Sequence, residues 1–165
     1  MKAKKMKTVD LFCGCGGMSL GFQNAGYDIV LAVDNWQPAI DVYKKNFKHK
    51  ILNFDLKNHK KIIKVIKPLK PEIIIGGPPC QDFSIAGPRN KSKGRSALTI
   101  KFSIIIAKIR PKFFVMENVP RITKSNELIT VISILKRAGY VFTKVILDSS
   151  DFEIPQYRKR FFLIG

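Results

Sequence analysis

The chain has 165 residues, of which 45% are hydrophobic, so it can bury the core of one domain and is not a disordered tail. Thirty Lys and Arg against twelve Asp and Glu give a formal net charge of +18, which favours nucleic acid as the partner, although a solvated lysine-rich surface would give the same count. No apolar run approaches the roughly 20 residues that cross a bilayer, so we expect no membrane partner.

Short runs rich in β-branched residues alternate with longer segments of helical periodicity. The strands are predicted at 8–12, 28–33, 72–75, 112–116, 140–147 and 160–164. Between them, two apolar helix faces are predicted, one formed by Ile62, Ile63 and Ile66 and the other by Leu128, Ile132 and Leu135. This alternation predicts an α/β fold with a mainly parallel, doubly wound sheet, in a single domain over residues 1–165.

The first strand leads into "LFCGCGGMSLGF", which holds two of the three cysteines. A zinc site needs about four ligands, whereas Cys13 and Cys15 supply two, and His49 and His59 are the only histidines. A disulfide between residues two apart would be strained. We therefore predict no metal. An odd number of free thiols without a signal peptide indicates the reducing cytoplasm.

The glycines of this stretch are interpreted as a turn between the first strand and the first helix. Three positions lack a side chain there and let backbone amides approach a ligand: Gly14, Gly16 and Gly17. Asp34, about 20 residues on, ends the second strand where an acid grips ribose hydroxyls, and Trp36 could lie against a purine. Asp55 could accept from an adenine amino group or cap a helix. Nicotinamide, flavin and S-adenosylmethionine all remain open here, although the departure from G-x-G-x-x-G favours a ligand without a pyrophosphate.

The next strand leads into "GGPPCQDFS", at the sheet edge where open α/β folds place their sites. Pro78 and Pro79 restrict the backbone before Cys80, and a thiol held rigidly there suits a nucleophile, the alternative being a small buried residue. Residues 76–96 form a stretch of about 20 residues without periodicity, longer than an ordinary loop. Its basic residues, which include Arg89 and Arg95, could contact a phosphate backbone.

Two further polar groups are predicted at the same edge. "FFVMENV" ends a buried strand with Glu117 and Asn118, and a partly desolvated carboxyl there could stay protonated and donate to a substrate nitrogen, or fix a loop. "PQYRKRFF" sets Arg158 and Arg160 two residues apart on one face, where guanidinium groups suit a base carbonyl, a carboxylate or a phosphate. The alternative is a solvated basic edge strand.

Together and in this order, "DLFCGCGGMSLGF", "GGPPCQDFS", "ENV" and "PQYRKRFFLIG" resemble the cofactor loop, nucleophile loop, acid strand and arginine strand of the C5-cytosine DNA methyltransferases. The resemblance extends over residues 8–165. It implies a Rossmann-like S-adenosylmethionine (SAM)-dependent methyltransferase fold in which the last strand is antiparallel. It also implies DNA as the substrate.

The resemblance implies a mechanism in which a cytosine is flipped out of the duplex. Cys80 would add to C6, protonated Glu117 would hydrogen-bond N3 and the amino group, and Arg160 with Arg158 would hold the base carbonyl and orient Glu117. C5 would then take the methyl group from SAM, and loss of the C5 proton would expel Cys80.

The resemblance also assigns binding residues. The SAM site would comprise Phe12, Gly14, Gly16, Gly17, Asp34 at the ribose, Trp36 and Asp55 at the adenine, and Pro78. The DNA contacts would come from Gln81, Ser84, Arg89 and Arg95. Cys13 and Cys15 would only fill the tight turn.

Enzymes of this family continue into a target-recognition region and a Gly-Asn-containing helix that completes the cofactor pocket. The sequence departs from the family there, and also at Glu153, which replaces the glycine usual before "PQ". We expect a catalytic subunit whose second polypeptide supplies the target-recognition domain and that helix. The alternatives are a non-catalytic DNA-binding remnant and an RNA cytosine methyltransferase. A nicotinamide-dependent oxidoreductase would explain the glycine turn but not Pro-Pro-Cys or the paired arginines.

Overall fold

A computed structural model of the chain describes residues 5–79 and 96–165. Its centre is a seven-stranded sheet in the order β3-β2-β1-β4-β5-β7-β6. The strands are β1 Lys7–Leu11, β2 Asp28–Asp34, β3 Ile51–Asn53, β4 Ile73–Gly76, β5 Phe113–Asn118, β6 Thr143–Asp148 and β7 Lys159–Ile164. Strands β1 to β5 are parallel to one another, whereas β7 is antiparallel to both β5 and β6. The predicted mainly parallel sheet with an antiparallel last strand is confirmed.

All six predicted strands are present, with shifted ends, and the structure adds β3. This strand has three residues and pairs only with β2, so it is too short to show a periodicity of its own. Strand β5 extends to Asn118, which places Glu117 within the strand rather than after it. Strand β6 begins at Thr143, later than the predicted start at residue 140.

In the described ranges, five α-helices cover the sheet: α1 Gly17–Asn24, α2 Gln37–Asn46, α3 His59–Ile66, α4 Ser96–Ile109 and α5 Asn126–Arg137. The two predicted apolar faces both point into the core, with Ile62, Ile66, Leu128 and Leu135 buried and Ile63 and Ile132 packed against them. Helix α5 begins where the side chain of Ser125 accepts a hydrogen bond from Leu128 N. In the parts of the chain that the structure describes, no helix is long and apolar enough to cross a membrane.

The strand order reverses between β1 and β4. From β1 the chain moves outward through β2 to β3, and from β4 it moves the other way to β5. The segments that leave the carboxyl ends of β1 and β4 therefore diverge, and in an open α/β sheet this divergence opens a crevice. Both glycine-containing stretches, after Leu11 and at Gly76, begin at this crevice.

Candidate active site

A cavity of about 580 Å³ lies at the carboxyl edge of the sheet. Its lining comes from the segments after β1, β2, β3 and β4 and from helix α4: Phe12, Asp34, Asn35, Trp36, Asp55, Lys57, Gly77, Pro79 and Leu98. Four of the predicted cofactor residues are among them: Phe12, Asp34, Trp36 and Asp55. The fold thus gathers side chains that are far apart in sequence around one cavity.

Asp34 links the segments that follow β1 and β2 at this cavity. Its Oδ2 accepts a hydrogen bond of 2.8 Å from Gly14 N, and its Oδ1 accepts from Asn35 N at 2.8 Å and from Trp36 N at 2.9 Å. The carboxylate is therefore fixed by three backbone amides, and Oδ2, which accepts only one of these bonds, retains a lone pair for a further donor. A ribose hydroxyl is such a donor.

The three glycines of the turn differ in what they permit. A Cβ at Gly16 would overlap the ring of Phe47 and lie 2.9 Å from Tyr43 Cε2, and the backbone there has φ +97°. Gly16 thus lets two aromatic rings support the turn. Within residues 5–79 and 96–165, no atom lies within 4 Å of a Cβ built at Gly14 or Gly17, so these residues leave the space beside both positions open to a ligand.

Trp36 and Asp55 face the same cavity in different ways. Trp36 precedes helix α2, and its side chain is 64% exposed, so its ring is available for stacking. Asp55 Oδ1 accepts from Lys57 N at 2.9 Å and caps the short 3-10 turn Leu56–Asn58. The capping alternative that the sequence left open is therefore realised, and the same carboxylate also lines the cavity.

A second polar group lies at the end of β5. In the antiparallel register Glu117 pairs with Phe162, so Arg160 is its diagonal neighbour on the same face. Arg160 Nε donates to Glu117 Oε1 at 2.9 Å, and the two side chains are 24% and 26% exposed. Burial raises the pKa of Glu117, while the guanidinium groups of Arg160 and Arg158 oppose that rise. The site thus combines a carboxyl inclined to hold its proton with cations that orient it.

Gly77 connects this carboxyl with the cavity. Gly77 lines the cavity, and a Cβ at this position would lie 3.1 Å from Glu117 Oε2. A larger residue at position 77 would therefore crowd the carboxyl. The absence of a side chain lets the Glu117 carboxyl lie close to the cavity wall at Gly77.

Arg158 lies directly before β7 and is exposed. Its backbone N donates to Asp148 Oδ1 at 2.9 Å, and its carbonyl accepts from Ser149 N. The hydrogen bond from Arg158 N lowers the pKa of Asp148. These bonds fix the backbone of Arg158 at the start of β7. The charge of its guanidinium group lowers the pKa of Glu117.

Asn118 makes a contact that the sequence patterns did not indicate. It is 2% exposed, and its Nδ2 donates to Pro78 O at 3.1 Å while its Oδ1 accepts from Val119 N at 2.9 Å. Asn118 therefore ties β5 to the segment after β4. Pro78 is buried and held by this bond, and its neighbour Pro79 lines the cavity.

Five of the predicted site residues lie outside the described residues: Cys80, Gln81, Ser84, Arg89 and Arg95. Of the other two cysteines, Cys13 is buried and Cys15 is exposed, so only Cys13 acts as a filler of the turn. Burial raises the pKa of the Cys13 thiol, which keeps it protonated. Among residues 5–79 and 96–165, no cluster of three His, Cys, Asp or Glu side chains forms a metal site.

The side chains around the cavity fit a nucleoside cofactor that carries a positive charge. An exposed indole ring can stack on a base, Asp34 and Asp55 supply carboxylates, and open space lies beside Gly14. SAM, which combines an adenosine with a sulfonium, is a cofactor of this kind.

The comparisons with known proteins agree with this geometry. The sequence model of the family "C-5 cytosine-specific DNA methylase" matches residues 6–165. The type II methyltransferase M.HindV of Haemophilus influenzae is 54% identical over 160 residues, which cover 97% of this chain and 53% of that protein. M.HgiGI of Herpetosiphon aurantiacus is 57% identical over 116 residues, which are 70% of this chain and 92% of that protein. The chain therefore belongs to the C-5 cytosine-specific DNA methylase family.

Solved structures give the same fold. The crystal structure of Spodoptera frugiperda DNMT2 matches with a TM-score of 0.82 and 27% sequence identity, covering 97% of this chain and 49% of that one. The chain spans about half the length of M.HindV and of this structure.

Proposed function

We propose that this chain forms the catalytic part of a DNA (cytosine-5-)-methyltransferase of a type II restriction–modification system. The observation that carries the proposal is the Glu117–Arg160 pair, whose carboxyl lies beside Gly77, a residue that lines the cavity. A cytosine held there needs a donor at N3 and a cation at its carbonyl. The family and its type II methyltransferase relatives support DNA as the substrate.

We propose SAM as the methyl donor. Asp34 would accept from the ribose hydroxyls, Trp36 would stack on the adenine, and Asp55 would accept from the adenine amino group. Phe12 and the open side of the turn at Gly14 and Gly17 would enclose the remainder of the SAM molecule. Gly16 and Pro78 would support the segments that line the cavity. When bound, SAM supplies an electrophilic methyl group.

On the protein side, the reaction requires a nucleophile, an acid and a cation. We propose that the Cys80 thiolate adds to C6 of a flipped cytosine and makes C5 nucleophilic. Glu117 in its protonated form donates to N3, and Arg160, assisted by Arg158, fixes the base carbonyl and the carboxyl. After methylation of C5, loss of the C5 proton breaks the Cys80–C6 bond and restores the thiolate.

The DNA contacts are proposed to include Gln81, Ser84, Arg89 and Arg95, and the net charge of +18 supports a large electrostatic contribution to DNA binding. Base reading in the major groove needs further side chains. We propose that these come from the half of the relatives' length that this sequence does not span, on the same or a second polypeptide.

The test is a covalent trap. Fluorine at C5 prevents the final elimination, so DNA containing 5-fluorocytosine, with SAM, should give a stable protein–DNA adduct. The chain is assayed alone and with the carboxyl-terminal half of M.HindV added. Cys80→Ala should abolish the adduct, while the matched control Cys15→Ala, which removes an exposed thiol, should retain it.

Three outcomes separate the alternatives. An adduct that persists in Cys80→Ala contradicts the nucleophile assignment. SAM binding without any adduct in all conditions favours a non-catalytic DNA-binding protein. An adduct that forms with transfer RNA in preference to duplex DNA replaces the DNA proposal with an RNA substrate.

A further inference from the structure

A continuous row of four polar side chains runs through the interior beneath the glycine turn. Ser19 Oγ donates to Asp10 Oδ2 at 2.6 Å, Tyr43 Oη donates to Ser19 Oγ at 2.7 Å, and Tyr43 Oη is hydrogen-bonded to His49 Nε2. Asp10, Ser19 and Tyr43 are buried, whereas His49 is partly exposed. The row therefore connects a carboxyl that water does not reach with an imidazole that water does reach.

The helices that contribute to this row follow two segments that lie at the cofactor cavity. Ser19 lies in α1, which begins directly after the glycine turn, and Tyr43 lies in α2, which begins directly after Trp36. The ring of Tyr43 also packs on Phe47, with 4.4 Å between ring centroids, and both rings contact Gly16. The Ser19–Tyr43 hydrogen bond thus joins α1 to α2 beneath these two segments.

The chemistry of the four groups fixes the direction of the hydrogen bonds. An ionised Asp10 can only accept, so Ser19 donates to it, Tyr43 donates to Ser19, and His49 must donate its Nε2 proton to Tyr43. With a proton on Asp10 Oδ2, every bond reverses and the His49 Nε2 becomes an acceptor. Each hydroxyl donates once and accepts once in both states, so no hydrogen bond is lost.

We propose that Ser19 and Tyr43 are positioning residues for SAM, and that their hydroxyls couple the charge of Asp10 and the tautomer of His49 to the cofactor turn. This inference rests on the proposed SAM site. The Ser19–Asp10 bond is charge-assisted only while Asp10 is ionised, so the turn is held most firmly in that state. SAM affinity is therefore highest with Asp10 ionised.

The surroundings of Asp10 place its ionisation near neutral pH. Burial raises the pKa of Asp10 to about 7, the hydrogen bond from Ser19 opposes the rise, and the nearby Asp34 adds to it. The Cys13 thiol faces the same carboxyl, and its raised pKa keeps it neutral. At the other end, burial lowers the pKa of His49, while Asp28 opposes this. His49 lines a second cavity, of about 500 Å³, together with Lys5 and Lys48.

The first experiment measures the SAM dissociation constant from about pH 5.5 to about pH 8.5. This range of about three pH units is centred on the pKa of Asp10. The fluorescence of Trp36, the single tryptophan of the chain, gives the signal. Ser19→Ala should weaken binding about five- to tenfold at high pH, as expected for a lost buried hydrogen bond. It should also move the midpoint of the profile to higher pH, because the Ser19 bond lowers the pKa of Asp10.

The matched control is Ser103→Ala, which removes another fully buried hydroxyl, one that donates to Ile100 O within α4. Its midpoint should equal that of the unmodified chain. A Ser19→Ala profile that is weaker at every pH but has an unchanged midpoint would overturn the coupling. A chain that binds no SAM at any pH would contradict the proposed function instead.

The second experiment needs no cofactor and tests the coupling directly. Nitrogen-15 NMR of His49 should report a proton on Nε2 above pH ~7 and a proton on Nδ1 just below it, following the charge of Asp10. Tyr43→Phe should abolish this change, whereas Tyr140→Phe, which removes a hydroxyl bonded to Pro111 O, should preserve it. A change of tautomer that survives in Tyr43→Phe would overturn the inference.

Discussion

The two sides of the strand reversal hold their polar groups in different ways. On the β1–β2 side, the Asp34 carboxylate is fixed by three backbone amides, and the turn beside it rests on the rings of Tyr43 and Phe47. On the β5–β7 side, Glu117 faces the Arg160 side chain, and both are about a quarter exposed. Backbone donors fix a geometry that depends little on surface charge, whereas a side-chain pair can be tuned by pH and substitution. The cofactor wall should therefore respond to changes in packing, and the acid side to changes in charge.

The largest expected effect falls on the acid side. Glu117→Gln keeps the shape and a hydrogen-bond donor but removes the acidic proton that the proposed mechanism gives to N3, so the methylation rate constant should fall about 100- to 1000-fold. The SAM dissociation constant should change by less than about twofold, because Glu117 lies on the β5–β7 side of the sheet and most of the proposed SAM residues lie on the β1–β2 side. Single-turnover methylation measures the rate constant, and Trp36 fluorescence measures the SAM dissociation constant.

Glu153→Gln, an exposed glutamate before the paired arginines, serves as the control and should be near wild type. A Glu117→Gln variant that retains more than about a tenth of the methylation rate would contradict the assignment of Glu117 as the acid.

On the cofactor side, the largest effect should come from packing. Gly16→Ala places a Cβ against Phe47 and Tyr43 at a backbone with φ +97°, so it should lower the free energy of unfolding by about 2–3 kcal/mol. Gly17→Ala adds the same atom into open space within a helix and should be neutral or slightly stabilising. Urea unfolding of both variants measures the difference, and equal stabilities would show that the rings do not support the turn.

Asn118→Ala tests the link between the two sides. Loss of the bond to Pro78 O should lower the methylation rate about tenfold, because the segment that leads toward Cys80 is no longer tied to β5. SAM affinity should stay near that of the unmodified chain. Asn46→Ala, which removes a side-chain bond to Val42 O, is the control, and an equal loss of rate in both variants would make the effect non-specific.

The smallest expected effect is a shift in the pH dependence of the methylation rate. The proposed mechanism uses protonated Glu117, so the rate should fall as pH rises through the raised pKa of that group. Arg160 lowers this pKa, so in Arg160→Gln the fall should occur at higher pH, beside a lower maximal rate. A pH–rate profile of single turnovers checks the sign, and a fall that moves to lower pH would contradict the assignment.

The sequence predicted more of the fold than of the contacts within the site. Local patterns were sufficient for six strands and both apolar helix faces, and the motifs indicated Phe12, Asp34, Trp36 and Asp55 at one cavity. The supporting role of Gly16 was not predictable from its own neighbours, because it depends on Phe47, about thirty residues further on, and on how α2 packs. The bond from Asn118 to Pro78 likewise depends on the pairing of β4 with β5.

By itself the sequence determined the order of the elements, the glycine turn, the positive charge and the residue types available for chemistry, since these follow from local periodicity and composition. Only the tertiary structure decided which of those residues meet. The register of β5 against β7 brought Arg160 to Glu117, and the packing of α1 against α2 brought Ser19 to Tyr43. Such contacts join residues far apart in sequence, and their geometry is set by strand pairing and core packing rather than by any local pattern.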